Sequence, residues 1–142
     1  MTAYSFLQHL HSGFRYIVLL LVIAAVIASL IGLFNAKPYT KGNSKLNLFT
    51  LISAHTQLLI GIVLYFISPL VQFSKAAMHD KYLRYYTAEH WVIMLIGIAL
   101  ITIGYSKSKK ALTDVGKHKT ISIYYSIALI LIFAGIMLIP RG

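Results

Sequence analysis

At 142 residues, with 58% apolar and 11% charged side chains and a mean hydropathy of +0.77, the chain is far too apolar for a water-soluble domain of its size. Its net charge of +10 would suit a nucleic-acid binder, but the basic residues concentrate in two loops between apolar runs, and no nucleic acid is expected as a partner. Without cysteine it can carry neither a disulfide framework, a thiolate-bound cluster nor a covalently attached haem.

Four apolar runs approach or exceed the ~20 residues that cross a bilayer as a helix. The first is expected over about 6–34. Its apolar stretch is too long for the core of a signal peptide, and no basic segment precedes it, so it reads as a structural helix. Lys37-Pro38 stops it. The second span is expected over 46–67 and is stopped by Pro69. The third, over 87–105, has Thr87 as a candidate cap, and the fourth, over 120–139, closes at Pro140. Short connections leave no room for a second domain and force neighbouring spans to run in opposite directions. The expected fold is therefore all-α: one antiparallel four-helix transmembrane domain covering residues 1–142.

Lys37, Lys41 and Lys45 lie in the first loop, and Lys107, Lys109, Lys110, Lys117 and Lys119 in the third, against the single acid Asp114. The positive-inside bias assigns those loops to the cytoplasm and both termini to the periplasmic side of a bacterial inner membrane. The second loop is nearly balanced in charge, and its Tyr82, Tyr85 and Tyr86, with Trp91 beyond, fit an aromatic belt at the outer interface.

A histidine stands at or near the start of each run, except that His55 lies inside the second. At 1.5 Å per residue, His11 falls ~12 Å outward of the midplane and His90 ~9 Å outward on the same side, so the two are nearly level. His55 lies a few ångströms inward and His118 roughly 16 Å inward, a poorer match. Two imidazoles on facing helices are the ligand pattern of a low-spin haem that changes oxidation state with little rearrangement. His11 and His90 are the preferred axial pair; His55 and His118 are candidates for a second haem iron. Gly97 and Gly104 follow His90 at seven-residue steps, suited either to a flat macrocycle or to close helix packing. Arg15, one turn after His11, needs an anion, either a haem propionate or the carboxylate of Glu89, which is also a candidate acceptor for a histidine ring. His9 and His79 read as interfacial or loop residues. A quinone or proton site involving His55 and Gln57 uses residues on roughly opposite helix faces.

The segments His9-Leu10-His11-Ser12-Gly13-Phe14-Arg15-Tyr16, Ala54-His55-Thr56-Gln57-Leu58-Leu59-Ile60-Gly61, Tyr65-Phe66-Ile67-Ser68-Pro69, Glu89-His90, Gly104-Tyr105-Ser106 and His118-Lys119 together span nearly the whole chain. They resemble the small four-helix "cytochrome b-like" membrane proteins common in Bacteroidetes. That resemblance, and the similar layout of larger transmembrane b-type cytochromes, implies haem b and electron transfer in a respiratory or quinol-linked chain. Quinone and the subunits of a larger membrane complex would be the partners. A haem-free accessory subunit of such a complex is the alternative that the short loops and lack of a soluble domain support.

Overall fold

A computed structural model describes residues 2–69 and 74–138, apart from the side chains of Ala77, Tyr82, Tyr86 and Thr87. Pro140 and the expected end of the last span lie outside those residues, as do the Tyr82, Tyr86 and Thr87 side chains. The long helices are α1 (Ala3–Phe34), α2 (Lys41–Ile67), α5 (His90–Lys110) and α6 (Asp114–Met137); two short ones, α3 (Lys75–His79) and α4 (Lys81–Arg84), precede a π-helical turn, Tyr85–Glu89, that runs directly into α5. All four long helices are long and apolar enough to cross a membrane. The second and fourth begin earlier than expected, because polar first turns capped by Thr40 and Thr113 extend them beyond the apolar runs. Position 87 lies inside the π turn and starts no helix.

The ends follow local chemistry. Thr2 accepts from the Ser5 amide, and Thr40 forms a capping box with Asn43. Helix α1 ends in a left-handed residue, Ala36 at φ 49°, with the Lys37 amide donating back to the Gly32 carbonyl. Ser68 is extended at ψ 131°, as the residue before Pro69 must be, and α2 stops there.

Helix α1 packs on α2 and α6, and α5 packs most extensively on α6 and less on α2. The order around the bundle is α1, α2, α5, α6, so α1 and α5 stand diagonally opposite. Each helix turns a seam with alternating steps of three and four residues toward the interior: Val18, Val22, Ala25, Ser29 and Gly32 are buried on α1, and Gly97, Ile101, Gly104 and Ser108 on α5. His11 and Arg15 extend the α1 seam at the same steps, and His90 and Met94 extend that of α5. Apolar side chains cover the exterior, among them Phe34 at 79% and Phe66 at 81% exposure, as lipid-facing surfaces require.

Glycines set the tightest contacts, since helix association in lipid rests on close van der Waals packing. A Cβ at Gly104 would run into the Tyr124 side chain, and one at Gly97 would meet Ile132 at 3.2 Å. Both neighbours are on α6. The choice between macrocycle and packing is thereby resolved: these two glycines serve the α5–α6 interface.

Candidate functional site

Toward the end of the bundle opposite the lysine-rich loops, the α1 and α5 seams part around a cavity of about 590 Å³. That volume falls in the ~300–1,000 Å³ range of cofactor and small-molecule sites. Helices α1, α2 and α5 wall it, and Ile132 and Ile136 of α6 line its back. Into it project His11, Arg15, Gln57, Tyr85 and His90 amid mainly apolar neighbours.

The His11 and His90 rings come within 6.2 Å, centroid to centroid, with planes 77° apart. Behind His90 stands Tyr85, which is 0% exposed. Its hydroxyl donates to the Gly135 carbonyl at 2.7 Å and lies 3.1 Å from His90 Nδ1. A phenol has one proton, so with that proton on Gly135 the hydroxyl must accept from His90. His90 is therefore protonated on Nδ1 and carries its lone pair on Nε2. The π turn makes this contact, because its i to i+5 backbone bond, His90 N–H to the Tyr85 carbonyl, stacks residues five apart. Glu89, expected as a possible partner for Arg15 or a histidine, instead accepts from Arg84 Nε at 2.7 Å.

His11 is held differently. Its ring lies against Gly61 of α2, where an added Cβ would stand 3.3 Å from Cε1. Its Nδ1 is buried without a hydrogen-bond partner, as is Gln57 Oε1. Gln57 Nε2 donates to the backbone carbonyl of His11 at 2.8 Å, tying α2 to α1 beside the cavity. Arg15 donates to the Tyr16 hydroxyl at 3.3 Å and lies over that ring at 5.1 Å. It meets no carboxylate among the described residues.

The structure does not bring His55 and His118 together. His55 is exposed, off the α2 seam, and its Nε2 donates to Thr102 Oγ1 at 2.9 Å, since the Thr102 proton is already committed to the Ile98 carbonyl. His118 is 1% exposed at the opposite end of the bundle, with Nε2 donating to the Lys37 carbonyl at 3.1 Å and its ring against Tyr39. Neither lines the cavity. His9 and His79 are exposed. Sequence reasoning missed Tyr85 and Gly61 as parts of the site. A signal for Gly61 was present, because Asn47, Thr50, Ala54, Gln57 and Gly61 repeat at three and four residues and exclude His55.

Among the described residues no three histidine, aspartate or glutamate side chains gather as a metal site. A facing pair of imidazoles without carboxylate or thiolate suits a metal that brings its own equatorial ligands. Neither family models, curated proteins nor solved structures show a match to this chain.

Proposed function

We propose that the protein is a cytochrome b-like electron carrier of the bacterial cytoplasmic membrane that grips one haem b between His11 and His90. The separation of the two rings carries this reading. Imidazoles bonded at ~2 Å to opposite faces of one metal ion have ring centres ~6 Å apart, and here the distance is 6.2 Å. The cavity walls and the Nε2 lone pair of His90 agree with the same group.

Within this reading each residue has a task. His90 offers Nε2 because Tyr85 fixes its other nitrogen, and His11 offers a nitrogen from the diagonal helix. Arg15 supports an acidic substituent: the chain has three acids, of which Glu89 is engaged by Arg84, Asp80 accepts from the Leu83 amide, and Asp114 sits in the first turn of α6 at the far end. A buried or interfacial guanidinium with no carboxylate partner among the described residues would be matched by a propionate. Val18, Ala54 and Ile98 give the cavity an apolar wall. Bis-imidazole haem supplies one-electron transfer with little rearrangement. Eight lysines at the end away from the cavity support an orientation with both termini periplasmic and the site in the outer leaflet, and within this reading a membrane quinol would be the electron donor.

The test is the reduced-minus-oxidised spectrum of detergent-purified protein produced with ample haem. Expected are a Soret band, a sharp α-band and a pyridine haemochrome of b type. His11→Ala and His90→Ala should each abolish the low-spin spectrum, and Arg15→Gln should weaken pigment retention severalfold. A colourless protein with full helix content would remove the cytochrome reading and leave an accessory subunit of a larger complex.

A further inference from the structure

His11 and His90 share one gap but are not equivalent. His90 is the middle of a hydrogen-bonded chain, Nδ1–H to the Tyr85 hydroxyl at 3.1 Å and that hydroxyl to the Gly135 carbonyl at 2.7 Å, which ties its ring to the backbone of α6. Tyr85 is completely buried, so water does not compete for either bond. The His11 ring has no such tether: Nδ1 is buried and unpartnered, and the contact on the α2 side is with Gly61, which has no side chain to brace it. Gln57 holds the His11 carbonyl, so the backbone is fixed there while no hydrogen bond to Nδ1 fixes the ring's side-chain torsions. Hydrogen bonding to the distal nitrogen of a ligating imidazole fixes its orientation and raises its basicity, and losing such a bond typically weakens metal binding 10- to 100-fold.

Resting on the haem reading above, we propose that His90 is the permanent arm of the pair and His11 the exchangeable one. The centre is then built to take up a small diatomic molecule of the carbon monoxide class on the His11 side. Apart from the metal bond, which either ring would give up, release of His11 would cost packing contacts, whereas release of His90 would also disturb the chain to Gly135. The cavity beside His11 gives both the departing ring and the incoming molecule room.

Two measurements test this. In the protein as purified, histidine nitrogen NMR should show His90 protonated on Nδ1, with a slowly exchanging proton that disappears in Tyr85→Phe. This result does not need pigment, so it separates a failure of the asymmetry from a failure of the haem reading. Tyr85 in another hydrogen-bonding role, or His90 protonated on Nε2, would overturn the proposal. In pigmented protein, carbon monoxide difference spectra should show binding to the reduced wild type. His11→Ala should keep pigment in a high-spin form and bind carbon monoxide faster than the wild type. His90→Ala should lose pigment. Should His90→Ala not fold, Tyr85→Phe takes its place, with pigment retention expected to fall roughly 10- to 100-fold. Equal pigment loss in the two alanine variants, a wild type inert to carbon monoxide, or greater retention in His90→Ala would each sink the assignment.

Discussion

At the lysine-rich end of the bundle His118 is sealed against protein: the Lys37 carbonyl takes its proton, Tyr39 covers its ring, and Gly32 of α1 leaves no space for even a methyl group. At the other end His11 and His90 face each other across open volume, and Gly61 touches His11 without filling the gap. Both ends use a seam glycine of a neighbouring helix to admit an imidazole. The glycine at the sealed end locks a loop onto α6, and the one at the open end leaves a ring movable. Neither burial nor an unpartnered buried Nδ1, which His11 and His118 share, thus distinguishes a structural role from a ligand role; what the ring face and the other nitrogen meet does.

The contrast is broken most sharply by His118→Ala, which removes a buried ring and its bond to the α1–α2 loop. We expect ~2–4 kcal/mol of destabilisation, read by thermal or denaturant unfolding in detergent, while the low-spin spectrum is retained. A lost spectrum in folded protein would show that the two ends are not independent. Gly32→Ala comes next, at ~1–3 kcal/mol, because the whole imidazole must shift against Tyr39 and the loop. The matched substitution at the open end, Gly61→Ala, should leave unfolding and pigment retention nearly unchanged but convert part of the low-spin spectrum to high-spin, because the added methyl pushes only the movable His11 ring off its line to His90. Reversal of these two effects would reverse the assignment of the two ends. The smallest effect is expected for Ala36→Gly, which relieves a left-handed residue at φ 49° and should stabilise the bundle by ~0.5–1 kcal/mol without altering the spectrum.

The four spans and the level placement of His11 and His90 are legible from run length and rise per residue alone, since both quantities are local. The surroundings of those histidines are not. Gly97 and Gly104 lie within about 40° of the His90 face, but which helix stands across that angle depends on the order of helices around the bundle, and α6 takes that place. Glu89 is adjacent to His90 in sequence, yet it turns to Arg84 while the partner of His90 comes from five residues back. A π turn cannot be inferred from apolar periodicity, because it changes the period itself. His118 lies in a run of lysines that suggests a solvated helix start; its burial is set by the return of the 37–39 segment over the bundle end, a contact between residues 80 apart in the chain.

The diagonal placement of α1 and α5 also bears on biogenesis. Their two imidazoles belong to segments that enter the bilayer at different moments, with α2 inserted between them, so the N-terminal hairpin has only half of the gap. If the gap holds haem as proposed, its capture must await insertion of the third long segment, and a nascent chain arrested before residue 90 should remain colourless even where its first two helices have already paired.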